Sequence, residues 1–377
     1  MKILYLCHPD NYHIEKWVKG LTRKGVDIHL AGFQKFESPQ VPYTAFPTLF
    51  DEIRFVDFLK FAPDIVALQK KVKADILFPS FAPTFGLATL MSGLQPYIIQ
   101  TWSRDIGQDP NLTLREKWMV NNISYRVSQN AAGITTDGMA YKDIMLKKWP
   151  EFSPKTLGTP WGIDLSVFSY SNEKAQKFRK RWNIPAQANN LITSTRGVGS
   201  FYQAEESLAG IKKSAQTFKD SYFLILTLEH EQTAEVKSLL TELGEIKNVR
   251  IIDRLLSEAE MTEMWSATDF FISTPWFDGV SEGLSEGRAM KAIPLLNRLP
   301  SNLERANEKV HALYTPAEEI TAQDIYDVID RALTLSDVER ASMLKTNEDW
   351  VAENADVSKT LDSLINLFED VLRNHHG

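Results

Sequence analysis

The sequence predicts an α/β protein of two domains, each a parallel sheet wound on both faces by helices. Three observations carry that prediction. Short apolar runs of strand length alternate with amphipathic stretches of helix length, first through residues 1–150 and again from about residue 190. The chain has 377 residues, enough for two cores of ordinary size. Between the two alternating regions lies Gly158-Thr159-Pro160-Trp161-Gly162, a stretch of linker character.

Taken in order, Ile3–Cys7 reads as a first strand. His13–Lys24 follows with helical spacing of Ile14, Trp17, Val18 and Leu21, and Gly25 ends it. Val26–Leu30 is the next strand, Asp64–Lys73 a helix (Ile65, Val66, Leu68, Val72), and Asp75–Pro79 a strand. Phe85–Met91 is expected to be helical, Tyr97–Ile99 and Ala132–Thr136 to be strands, and Met139–Lys148 a helix. The alternation restarts with the strand Asn190–Thr195, the loop Arg196–Ser200 and a helix over Ala204–Gln216. Tyr222–Leu228, Val249–Ile252 and Phe270–Ile272 supply further strands. Asp349–Leu372 closes the chain as a candidate pair of amphipathic helices, with Trp350 and Val351, then Leu361, Leu364, Ile365, Leu367, Phe368, Val371 and Leu372 as apolar positions.

Composition narrows the chemistry. Cys7 is the single cysteine, which excludes an intramolecular disulfide framework and any multi-cysteine metal site. Its place in an apolar strand makes it a small core residue. The N-terminal apolar run is too short for a signal peptide or a membrane span, so a cytoplasmic protein is the default expectation. The net charge of −7 is unevenly spread: residues 1–150 hold 18 Lys and Arg against 14 Asp and Glu, a balance of +4, leaving −11 for the remainder.

The stretch most informative about function runs from Asp269 to Asn297. Phe270-Phe271-Ile272 suits a buried strand, Ser273–Gly279 a turn region, and the residues from about Ser281 a helix, before the strand Ile293–Leu296. In an open α/β sheet, the loop that leaves a strand and enters a helix is where ligands bind, and the helix start favours anions. Asp278 stands before that helix and Glu286 within it, with seven residues between them. An acidic helix start with no ligand would carry the same residue types.

This pattern resembles the acidic-x7-acidic signature of the retaining, nucleotide-sugar-dependent glycosyltransferases of family 4, which have the GT-B fold. That family usually reads Glu-Gly, then five residues on Leu-Glu-Ala-Met-Ala, a small pair and Pro-Val. Asp278-Gly279, Glu286, Ala289 and Ile293-Pro294 match; Asp replaces the first Glu, Gly287-Arg288 replaces Ala-Met, and Lys291 stands where Gly is common. The segment after Gly158 matches the family's Asn-Gly-Val-Asp-x-x-x-Phe at Gly162, Asp164 and Phe168. Arg196 matches the arginine that the family directs at the diphosphate, whereas Phe201 or Tyr202 stands where its lysine would be. Read without the family, Arg196-Gly-x-Gly lacks the third glycine of a dinucleotide loop.

The resemblance implies two Rossmann-like, doubly wound domains facing a central cleft. Residues 1–163 would form the acceptor-side domain, 164–348 the nucleotide-sugar domain, and 349–377 a C-terminal helix crossing back to the first. The donor site would comprise Arg196, Tyr202, Asp278, Gly279, Val280, Ser281, Glu282, Gly283, Leu284, Ser285 and Glu286. Within it Glu286 would bind the ribose hydroxyls, Arg196 and the amides near Glu282–Ser285 the diphosphate, and Asp278 the sugar. On the acceptor side His13, Ser103 and Asp105 are the candidates, His13 having a packing or capping role as its competing reading. The family's front-face mechanism uses no enzyme nucleophile and no metal, and no Asp-x-Asp metal motif follows a strand here.

The expected activity is transfer of a sugar from a UDP- or GDP-linked donor to a glycan, lipid-linked or small-molecule acceptor. The alternatives are a nucleotide-sugar 2-epimerase of the same fold and an inactive nucleotide-sugar-binding protein. No nucleic-acid partner is expected. The basic first half suggests peripheral contact with an anionic membrane, through Lys16, Trp17, Lys19, Arg23 and Lys24 together with Lys70, Lys71 and Lys73.

Overall fold

The computed structural model describes residues 1–33, 41–47, 55–106, 112–194, 198–199, 202–227, 232–276, 278 and 281–376. The chain divides into two compact units, Met1–Trp161 with Val357–Gly377, and Gly162–Asp356.

In the first unit, β1 (Lys2–Leu6) is buried along nearly its whole length, as a strand covered on both faces must be. It pairs in parallel with β2 (Asp27–Gly32) and, on its other side, with β4 (Ile76–Pro79); β3 (Tyr43–Ala45) lies outside β2. Parallel bridges Leu77–Tyr97 and Ser80–Gln100 carry the pairing on to β5 (Ile98–Gln100), and β6 (Gly133–Thr136) and β7 (Thr156–Gly158) follow in order. The strand order therefore reverses between β1 and β4.

Helix α1 (Tyr12–Arg23) buries Ile14, Trp17, Val18 and Leu21, the four positions its spacing marks. Trp17 corrects one expectation. Its indole is buried and donates to the Trp161 carbonyl at 3.0 Å, so this ring is core and has no surface to offer a membrane. Helix α2 (Phe55–Val72) starts well before the expected Asp64 and runs through Pro63. The helix expected over Phe85–Met91 is a π-helical turn, Phe81–Gly86, leading into α3 (Leu87–Ser92). Helix α4 (Leu114–Asn130) escapes the pattern reading because its apolar residues are spread around it, with Leu114, Trp118 and Met119 exposed. Helix α5 (Met139–Lys148) is found where expected.

The second unit opens with α6 (Asn172–Arg181) and builds one parallel sheet from β8 (Asn190–Ser194), β9 (Ser221–Leu226), β10 (Val249–Ile252), β11 (Phe270–Ser273), β12 (Ile293–Leu296) and β13 (Leu313–Tyr314). Their order is β10-β9-β8-β11-β12-β13, so this sheet reverses between β8 and β11. Helices α7 (Ala204–Thr217), α8 (Ala234–Gly244), α9 (Glu258–Ala267), α10 (Glu282–Ala289), α11 (Pro300–Arg305), α12 (Ala322–Leu333) and α13 (Asp337–Asn354) connect or cover the strands. One apolar cluster lies on each face of the sheet, around Trp265 and Phe271 on one side and Ile192 and Phe270 on the other. Adjacent residues of β11 thus point into opposite cores, as period-2 geometry requires.

The C-terminal amphipathic segment is two helices. Residues 349–354 complete α13, and α14 (Val357–His376) buries Leu361, Leu364, Phe368 and Val371 in the first unit's core beside Trp17 and Phe78. Among the described residues, no helix is long and apolar enough to cross a membrane.

Candidate active site

Each unit places its loops at the point where strand order reverses, the crevice position of open α/β sheets. In the second unit these are the loop after β8 and the loop after β11. Residues Thr195, Arg196, Gly197, Ser200 and Phe201 of the first loop, and Phe277, Gly279 and Val280 of the second, lie outside the described residues. Asp278 is described and half-buried; Tyr202 is half-buried, its amide donating to the Gly199 carbonyl at 3.0 Å.

Helix α10 begins at an N-cap, Ser281, whose hydroxyl accepts from the Leu284 amide at 3.2 Å. Glu282, Leu284, Ser285 and Glu286 are buried. Glu286 points toward α9, where its Oε2 accepts from the indole Nε1 of Trp265 at 3.0 Å. Trp265 is fully buried, so its N–H needs a partner, and the carboxylate supplies it. A carboxylate offers about four lone-pair sites, so one indole bond orients the group without exhausting its acceptor capacity.

The departures from the family pattern become intelligible here. A Cβ at position 287 would stand 2.6 Å from Phe271 Cε1 and 2.8 Å from Trp265 Cζ3. Glycine is therefore needed at 287 because the Phe271 and Trp265 rings occupy the space a side chain would take. Arg288 is buried and donates through Nε to Asn347 Oδ1 at 2.8 Å and through Nη1 to the Arg305 carbonyl at 2.7 Å. Its guanidinium lies 4.1 Å from the centre of the Trp350 ring. Burial, with Arg305 nearby, pulls Arg288 down to about 9. Burial likewise lowers Arg305 to about 10, and its Nη2 donates to Ser285 Oγ at 2.9 Å. Arg288 and Arg305 thus tie α10 to α11 and α13.

Sequence reasoning passed over three residues that shape this site. Trp265 read as one apolar residue among many. Gln203 sits in the left-handed region at φ 48° and is buried. It donates to the Thr274 and Glu318 carbonyls at 3.2 and 2.9 Å and accepts from the Ile320 amide at 2.9 Å. Asn297 donates to the Pro275 and Glu318 carbonyls at 2.7 and 2.9 Å. Together they hold the start of the loop after β11. The signal available in sequence was only a polar residue beside each element end.

In the first unit, the loops after β1, β4, β5 and β6 meet at one edge. His13 stacks on Trp161 with centroids 4.8 Å apart and meets Trp102 edge-on at 6.0 Å. Trp102 stacks on Phe81 at 4.6 Å and donates to Ser80 Oγ at 2.7 Å. Phe81 holds φ 64°, a sparsely populated conformation for an aromatic residue. Ser103 is half-buried, and its amide donates to Asp137 Oδ2 at 3.2 Å. Asp105 is buried, and its Oδ2 accepts from the Ala82 and Trp102 amides at 2.9 and 3.0 Å. The structure thus gathers His13, Ser103 and Asp105 at one edge, with Asp105 as an internal brace between two loops.

Burial raises Asp105 to about 7, its two amide donors opposing the rise. Burial raises Asp137 to about 8, opposed by the Ser103 amide and reinforced by Asp105. Both groups hold a proton more tightly in the folded chain than in the unfolded one. Their contribution to stability is therefore complete below the ordinary carboxylate range and is lost as pH rises through about 7 and 8. The melting temperature of the parent should fall between about pH 5 and pH 9 more steeply than that of Asp137→Asn, which has no proton to lose there. Equal slopes in thermal unfolding would show that Asp137 ionises freely. Among the described residues, no group of three or more His, Cys, Asp or Glu side chains is placed to hold a metal ion.

Comparison with known proteins agrees with this architecture. Residues 2–136 match the family model described as glycosyl transferase 4-like. No curated protein matches the sequence. Among solved structures, a glycosyltransferase from Rickettsia africae superposes with a TM-score of 0.78 at 14% identity, covering 99% of each chain. Sucrose-phosphate synthase from Thermosynechococcus elongatus gives 0.81 at 11% identity, over 99% of this chain and 100% of that one. Anabaena HepE, solved in complex with UDP and glucose, gives 0.76 at 13% identity, over 98% and 100%. At these identities the likeness establishes the fold, and the fold is GT-B. The resemblance drawn from motifs in the second half of the chain is joined by an independent one over the first.

Proposed function

We propose that this protein is a glycosyltransferase that takes its sugar from a nucleoside diphosphate sugar and transfers it with retention of configuration. The observation that carries the reading is Glu286: a buried carboxylate on the helix after β11, at the sheet's reversal point, oriented by Trp265. In that position it accepts hydrogen bonds from the two vicinal ribose hydroxyls, charge-assisted and therefore strong. The amides at the start of α10 and Arg196 receive the diphosphate, whose negative charge grows as the bond to the sugar breaks. Asp278 accepts from sugar hydroxyls and, one methylene shorter than glutamate, sets which sugar is held. The acceptor hydroxyl loses its proton to the departing diphosphate oxygen, and His13 and Ser103 of the first unit are the candidate residues for holding the acceptor. Neighbours of this fold include one solved with UDP-glucose, which supports a uridine-linked donor as the first to test.

A panel of UDP- and GDP-sugars, with the purified protein and sugar, lipid-linked and small-molecule acceptors, should yield a transferred sugar with its anomeric configuration kept. The rate should be unchanged by EDTA, because Arg196 and helix amides, not a metal ion, neutralise the leaving group. A sugar epimerised at C2 would replace transfer by isomerisation, and binding without turnover would leave a nucleotide-sugar receptor. Activity lost on chelation and restored by Mg²⁺ or Mn²⁺ would overturn the metal-independent mechanism.

A further inference from the structure

The second unit carries a groove of about 710 Å³ beside the start of β11, the end of that strand away from the candidate donor site. Asp269, which immediately precedes β11, lines it; the donor-site loop leaves the other end of that strand. Arg179, Lys180, Lys291 and Arg340 line it as well. Four cations against one carboxylate is an unusual balance in this part of the chain, since residues 151–377 carry −11 overall.

The ion pairs around the groove do not absorb this charge. Asp269 Oδ2 receives Arg179 Nη2 at 3.1 Å, and Oδ1 receives Arg340 Nη2 at 2.5 Å, so one negative charge serves two guanidiniums, whose Nη1 groups donate to the Ala188 carbonyl at 3.2 Å and to Asn190 Oδ1 at 2.9 Å. Lys177 and Arg181, on the same helix, are taken by Glu263. Lys180 and Lys291 enter none of these pairs, and both are exposed. Lys291 follows α10 at φ 66°, in the left-handed region where a residue with a side chain is strained relative to glycine. Its ammonium stands 5.0 Å from the centre of the Tyr170 ring, which is also exposed to the groove.

We propose that this groove binds a small phosphorylated molecule. A phosphoryl dianion is the group that the two exposed lysines recognise as point charges, while the two guanidiniums, held in place by Asp269, Ala188 and Asn190, add positive field to the groove. The volume exceeds that of a phosphate ion, and the Tyr170 face gives the organic remainder of the ligand a surface to pack on. A ligand held by Lys291 would grip the far end of the helix that carries Glu286, which gives the site a route to the donor pocket. Phosphate binding in this groove does not depend on glycosyl transfer.

Thermal unfolding of the parent and of the double variant K180E/K291E tests it, with inorganic phosphate, pyrophosphate and a hexose monophosphate as probes and sodium chloride at matched ionic strength as control. Both substituted residues are exposed, so the variant should fold. Phosphate compounds should raise the parent's melting temperature beyond the chloride control, and the apparent Kd should rise about tenfold or more in the variant. Tighter binding of the hexose monophosphate than of inorganic phosphate would identify a metabolite as the ligand; the reverse order would identify free phosphate. The shift produced by UDP should be equal in both proteins, because that site lies at the other end of β11. Equal phosphate responses in parent and variant, no response beyond chloride, or a UDP shift lost together with the phosphate shift would each overturn a separate anion site.

Discussion

Glu286→Ala is expected to weaken binding of a nucleoside diphosphate by about 1.5–3 kcal/mol, the range for hydrogen bonds to a charged group. At about 1.4 kcal/mol per decade, this is roughly a tenfold to 150-fold rise in Kd. The same substitution strips the buried Trp265 indole of its acceptor, so the protein should also lose about 1–3 kcal/mol of stability. Glu286→Gln separates the two effects. Its carbonyl oxygen can still accept from the indole, while the charge that strengthens the ribose bonds is gone. The glutamine variant should melt near the parent and bind nucleotide weakly. Calorimetric titration with UDP and GDP measures both variants, and unchanged affinity in folded protein would remove Glu286 from the nucleotide site.

Gly287→Ala restores the residue that the family pattern has at this position, and it is expected to damage this protein. The new methyl group would stand 2.6 Å from Phe271 and 2.8 Å from Trp265, both ring carbons in a packed core. Overpacking of this kind costs about 1–3 kcal/mol. The rings cannot yield independently, since they meet edge to face with centroids 5.0 Å apart. Displacement of Trp265 carries Glu286 with it, so nucleotide affinity should fall along with stability. Combining Gly287→Ala with Trp265→Leu should give a loss smaller than the sum of the single losses, because the contact with Trp265 is then relieved and Phe271 gains room to shift. Chemical denaturation of the three variants reads the coupling. A Gly287→Ala protein as stable as the parent would show that the core has room, and the account of this departure would fail.

These two positions also mark how far the sequence could be read. Strands such as Lys2–Leu6 and Phe270–Ser273 were legible because a strand buried on both faces needs an unbroken apolar run, whatever else surrounds it. Helix α1 was legible because one stripe faces the core, and Ile14, Trp17, Val18 and Leu21 record that stripe directly. The alternation of such elements determined the fold class, and the spacing of Asp278 and Glu286 pointed to the loop after β11. What pattern could not reach were relations between residues distant in sequence. Glu286 and Trp265 lie on different helices, and only packing α9 beside α10 makes one the partner of the other. Gly287 and Arg288 looked like imperfections of a motif until Trp265, Phe271, Asn347 and Trp350 were placed around them. Asp105 looked available for an acceptor until burial turned its carboxylate onto two backbone amides. Trp17 shows the same division: its spacing marked a buried stripe while its lysine neighbours suggested a surface, and only the tertiary packing against Trp161 decided between them. Local periodicity records which face of an element is dry, because that depends on each residue's own hydrophobicity. The identity of the neighbour across that face depends on how the chain returns, and this the tertiary structure alone decided.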